Sequence, residues 1–117
     1  MIDEIRVKVS ELVREELERS YEKEKTFHSA HEAYAITLEE YEEAEEELRW
    51  IEENLGTCWD RVKGDCVPVL GLCKLMYSGA IRGACELIQV AAMCKKWKES
   101  EEARYREERG SESSTDK

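Results

Sequence analysis

Apolar residues recur at helical spacing along three stretches of the chain, and each stretch predicts a helix. In the first, Ile5, Val9, Leu12, Val13 and Leu17 follow Asp3, a residue type suited to a helix N-cap, and carry the pattern to about Tyr21. Periodicity is lost from Glu22 to His28, which reads as a short connection. Ser29 is followed three residues later by Glu32, the spacing at which a serine oxygen takes a free backbone N–H and a glutamate reaches back toward the cap. A second helix is therefore predicted from about Ala30. Its apolar side passes through Ala33, Tyr34, Thr37, Tyr41, Ala44, Leu48, Ile51 and Leu55, and stays in register past Gly56 to Trp59 and Val62. Lys63-Gly64-Asp65 signals its end. A helix of that extent is roughly 50 Å long at about 1.5 Å per residue, so it has to project, bend at Gly56 or pack on another chain.

Cys66 to Leu72 hold the only proline and read as a turn into a third helix from about Cys73. There the stripe Cys73, Met76, Ala80, Ala84, Leu87, Ala91 and Cys94 predicts the buried face. The small residues Gly79, Ala80, Gly83, Ala84, Ala91 and Ala92 allow close approach of a neighbouring helix. The other face carries Arg82, Glu86, Gln89, Met93 and Lys96, a mixed set. Beyond Trp97 the chain is highly charged and helix-compatible, and GSESSTDK at the end is expected to be disordered.

These elements predict an all-α protein of three main helices, with one helical domain over residues 1–109 and a disordered tail over 110–117. Composition agrees, with 39% charged residues among 117 and a single proline. Hydrophobic residues make up 41%, a low figure for a self-contained globule of this size, so a helical bundle completed as a homodimer or a dimer of dimers is expected. A formal charge of −10 opposes the phosphate-backbone attraction that polymeric nucleic acid binding needs. It leaves room for a nucleotide held by a metal and a few local cations. No apolar run reaches the length of a membrane span and MIDEIRVKV lacks the apolar core of a signal peptide, so no membrane association and a cytoplasmic location are expected. The five cysteines are odd in number and form no C-x-x-C pair, which points to buried free thiols rather than disulfides or zinc.

Chemistry concentrates in the second helix, where Glu40, Glu43 and Glu47 stack at three-and-four spacing with Glu39 beside them. Carboxylates so close repel unless a cation sits among them, and hard divalent ions such as Mg²⁺ or Mn²⁺ take such oxygens while keeping waters for a phosphate. The same row also fits a solvated acidic helix face. His28 and His31 flank the cap, where free N–H groups and the helix dipole seat an anion, or serve the turn itself. Lys95, Lys96 and Lys98 either steer phosphates or offset the dipole of a helix end. Trp50 lies off the apolar stripe on the side of Glu43 and Glu47, open to stacking by a base or to contact with another subunit.

Two stretches together, HSAHEAYAITLEEYEEAEEEL and ACELIQVAAMCKK, resemble the MazG-like members of the all-α nucleoside triphosphate pyrophosphatase superfamily, especially the short phage and prophage versions. That superfamily is known by E-E-x-x-E on one helix and E-x-x-D on a later one. Glu39-Glu40-Tyr41-Glu42-Glu43 fits the first motif, and Glu86-Leu87-Ile88-Gln89 fits the second with glutamine in place of aspartate. The resemblance covers about half of the chain. It implies a metal-activated water attacking a nucleotide phosphate, with release of monophosphate and pyrophosphate. Glu40, Glu43 and Glu86 would hold Mg²⁺ or Mn²⁺, and Glu39 would be a further ligand or the base that orients water. Arg82, Lys95 or Lys96 would neutralise phosphate charge. Gln89 is a poorer ligand than a carboxylate, and the motifs lie about forty residues apart, farther than usual in the family. A chain that keeps the pocket and lacks a ligand implies a second activity: a phage protein in the host cytosol that captures a host-defence nucleotide signal intact. A helical interaction protein without a ligand is the third.

Overall fold

Local signals set the three helices. In a computed structural model, which describes the backbone of residues 2–115 and the side chains of residues 2–110, the chain forms α1 (Ile2–Tyr21), α2 (Ala30–Lys63) and α3 (Leu70–Thr115), and the protein is all-α. α2 starts at Ala30 because Ser29 Oγ accepts the Glu32 N–H at 3.1 Å. The Glu32 carboxylate reaches one residue beyond the cap and accepts the N–H of His28, also at 3.1 Å. At the other end Asp65, at φ 55°, takes the left-handed position. Its N–H donates to Val62 O and that of Cys66 to Arg61 O, so two end carbonyls are satisfied as the chain turns away. α2 runs unbroken through Gly56. α3 begins at Leu70, three residues before the expected Cys73, and its helical backbone continues into the stretch expected as a tail; residues 116–117 lie outside the described residues.

Packing divides the chain into two compact units, one of Met1–Leu38 with Ile88–Lys117 and one of Glu39–Leu87. The first closes over Leu17, Phe27, Ala33, Ala92 and Met93, flanked by Val13, Tyr21, Ile36 and Trp97. Polar groups tie it together. The Phe27 N–H donates to Ser100 Oγ at 3.0 Å, Ser100 Oγ donates to Lys96 O, and Lys96 Nζ sits 5.0 Å over the Phe27 ring. Tyr21 OH donates to the Glu99 carboxylate; burial and that bond push its phenol up to about 12.

The second unit is a hairpin of α2 and α3. Trp50 and Ile51 meet Gly79, Glu47 meets Gly83 and Glu43 meets Glu86, so the two helices run antiparallel. Gly79 sets the distance. A Cβ on Gly79 would lie 2.9 Å from Trp50 Cδ1 and 3.3 Å from Ile51 Cγ1, whereas one on Gly83 would make an ordinary 3.5 Å contact with Glu47 Cβ. Gly79→Ala is therefore expected to cost about 1–3 kcal/mol by overpacking, while Gly83→Ala gains up to about 1 kcal/mol of helix propensity. Urea unfolding of the two variants, followed by tryptophan fluorescence, checks the opposite signs.

These glycines also correct the expected face of α3. Of Cys73, Met76, Ala80, Ala84, Leu87, Ala91 and Cys94, only Met76 is half-buried and the rest are exposed. The inward positions are Gly79, Gly83 and Glu86 in the hairpin and Ala92, Met93, Lys96 and Ser100 in the first unit. Close approach of backbones at glycine orients the helix more strongly than its apolar stripe does. On α2 only the inner edge of the stripe, Ala33, Thr37, Ala44 and Ile51, turns inward, and Tyr34, Tyr41, Leu48 and Leu55 are exposed. The cysteines are free as expected but not buried: Cys58 is half-buried and the other four are exposed. Among the described residues, no helix is long and apolar enough to cross a membrane.

Candidate functional site

Glutamates three and seven residues apart on α2 come to lie on successive turns of its inner side, because Ala44 between them packs into the hairpin. α3 runs antiparallel across that side and presents Glu86 and Arg82 to it. Glu40, Glu43 and Glu86 thereby converge, each offering a carboxylate oxygen, with these atoms all within 4.8 Å of one another. Glu40 and Glu86 are half-buried and Glu43 is exposed. Burial raises the Glu86 carboxyl above its ordinary range, and a hydrogen bond with Glu43 and the charges of Glu43 and Glu47 raise it further. Glu86 thus faces the like charges of Glu43 and Glu47, a repulsion that a cation between carboxylates relieves.

The neighbouring turn carries its own cation. Arg82 Nε donates to both carboxylate oxygens of Glu47 at 3.1 Å, and Glu47 is not among the three that converge. Arg82 thus stands one helical turn from Glu86, on the same side of α3. The donor set is all oxygen and suits a hard divalent ion that retains waters.

The other expected residues stand elsewhere. Glu39 is exposed and outside the converging group. Trp50 packs over Gly79 on the hairpin, with 39% of its surface exposed. Gln89 belongs to the first unit, where its Nε2 donates to Glu16 Oε2 at 2.8 Å. His28, His31, Lys95 and Lys96 are in that unit too. His28 Nε2 pairs with Glu24 Oε1 at 3.1 Å, and His31 and Lys95 are exposed. Lys96 is 5% exposed, and its ammonium is inside rather than at a surface anion site. Burial lowers its proton affinity, opposed by the charges of Glu24 and Glu32. The Glu47–Arg82 pair and the Glu16–Gln89 bond escaped sequence reasoning, because 35 and 73 residues separate the partners and no local pattern links them. No protein-family model matches the chain, and neither a curated protein nor a solved structure does.

Proposed function

We propose that the chain is a MazG-like nucleotide pyrophosphohydrolase, binding a nucleoside triphosphate through Mg²⁺ or Mn²⁺ and releasing monophosphate and pyrophosphate. The observation that carries this reading is the convergence of Glu40, Glu43 and Glu86 within 4.8 Å. A divalent ion there would supply charge to the phosphate oxygens and an activated water. The three carboxylates would hold it, Arg82 lies beside them to offset phosphate charge, and exposed Glu39, one residue before Glu40, is the candidate to orient water. A homodimer is part of the proposal. Within the hairpin, Tyr41, Leu48, Leu55 and Val62 of α2 leave about half of their surface exposed, an apolar row of the kind that partner subunits cover. The deciding experiment incubates purified protein with a nucleotide panel, including cyclic dinucleotides and cyclic ADP-ribose species, with Mg²⁺ or EDTA, followed by chromatography. Monophosphate appearing only with Mg²⁺ is the expected result; all nucleotides recovered intact and unbound sinks the reading.

One observation favours a second reading, capture of an intact nucleotide as a sponge: Gln89, which stands where the second family motif has aspartate, is engaged with Glu16, and the converging group has only three carboxylates. Gln89→Asp separates the two. It sets a carboxylate against Glu16 and is expected to cost about 1–3 kcal/mol of stability in either case. For an enzyme, turnover with Mg²⁺ rises or holds. For a binder that uses the amide, calorimetry shows weaker binding, since a carboxylate cannot donate.

A further inference from the structure

Within the hairpin, α2 places an apolar residue at every seventh position: Tyr41, Leu48, Leu55 and Val62. Three residues after the first three of these come Ala44, Ile51 and Cys58, which turn inward and are buried or half-buried. A seven-residue repeat with two apolar positions is the pattern of helices that pack along their length. Here one of its two rows is used inside the chain. The other is 48%, 50%, 55% and 47% exposed at Tyr41, Leu48, Leu55 and Val62, and Trp59 beside it is 59% exposed.

We infer that this outer row is the seam against α2 of a second copy, and that the two α2 helices pair antiparallel. The inference rests on the homodimer proposed above and adds its surface and direction. Symmetry supports a second copy as the occupant. The row reads alike from either end, with Leu48 and Leu55 between Tyr41 and Val62, so that one copy of it complements another. Charge supports the direction. Residues 39–47 contain seven glutamates, whereas the cations of the hairpin's α2 are Arg49, Arg61 and Lys63. Parallel pairing would align the glutamates of both copies, at an energetic cost. Antiparallel pairing sets them against the Arg61 and Lys63 end of the second copy.

The row is symmetric about its middle, between Ile51 and Glu52. A twofold axis there puts Leu48 opposite Leu55 of the second copy and Tyr41 opposite its Val62, so the same surface serves both subunits. Glu42 and Lys63 lie three heptads apart and share one side of the seam. They are too far apart to meet within one helix, but the twofold brings each within about a turn of the other's copy.

Light scattering and sedimentation equilibrium of the wild-type chain, with Lys63→Glu, Glu42→Lys and the double swap, test this. The wild type is expected at twice 13.7 kDa at micromolar concentration. Each single variant reverses two symmetric pairs and is expected to weaken dimerisation by about tenfold; the double swap restores it. Far-UV circular dichroism confirms that these exposed substitutions leave the helices intact. A monomeric wild type overturns both the homodimer and the seam. A dimer indifferent to both single variants, or one that the double swap fails to restore, overturns the antiparallel seam and leaves the homodimer standing.

Discussion

Mg²⁺ is expected to raise the unfolding temperature of the wild-type chain and to leave that of Glu86→Gln unchanged. Binding to the folded state alone stabilises it by about 2.7 kcal/mol at a hundredfold excess over Kd, which a differential scan resolves easily. Without metal the order reverses. Glu86 is held above its ordinary range by burial, then by its hydrogen bond with Glu43 and the charges of Glu43 and Glu47, so its ionised form destabilises the fold. The folded state then binds more protons than the unfolded one in the window above about 4.3, the ordinary glutamate value. Stability contributed by the protonated group is complete below that value and is lost as pH rises through the raised folded value. In EDTA, wild-type stability should therefore fall as pH climbs toward neutrality. Glu86→Gln should flatten that slope and be the more stable protein at pH 7. Urea titrations across this range, with and without Mg²⁺, give both comparisons. A Glu86→Gln protein less stable than wild type in EDTA would mean that Glu86 is a structural partner, and the cation site would be lost with it.

Phe27→Ala should produce the largest loss of stability in the chain, about 3–5 kcal/mol. Against a total of about 5–15 kcal/mol for a small domain, this lowers the melting temperature by about 10–20 °C. The ring is 6% exposed and lies among Leu17, Ala33, Ala92 and Met93, a core with few large side chains to close over a cavity. It also lies under the Lys96 ammonium, at 5.0 Å. Its removal takes away both apolar contact and the face on which a buried cation rests. Ser100→Ala is the matched control: it deletes the oxygen that accepts the Phe27 N–H and should cost about 0.5–1.5 kcal/mol. Thermal melts that rank Ser100→Ala as the more damaging change would place the stability of this unit in its polar contacts instead.

The converging glutamates were half legible before folding. Glu40 and Glu43 share a helix, and helical spacing alone puts them side by side. Glu86 is signalled only by the mixed character of its face and the resemblance of its motif. By position alone, near helix ends where anions are favoured, His28, Lys95 and Lys96 suit a phosphate. Lys96, however, lies within the first unit against Phe27 and Ser20, and His28 is paired with Glu24. A cation in sequence carries no information on whether it faces solvent, a carboxylate or an aromatic ring.

Local interactions were enough for the sequence to determine the all-α class, the start of α2 at its Ser29 and Glu32 cap, and its stop at Asp65, because each depends on groups a few residues apart. Which side of each helix turns inward was decided only in the tertiary structure. The apolar residues of α2 and α3 span more than one face, and periodicity does not rank those faces. Close approach at Gly79, possible because it carries no Cβ, sets α3 so that Glu86 meets Glu43 while Ala80, Ala84 and Leu87 face outward. The partners of Arg82 and Gln89 follow from that rotation and from α1, since contacts across 35 and 73 residues exist only after the helices have packed.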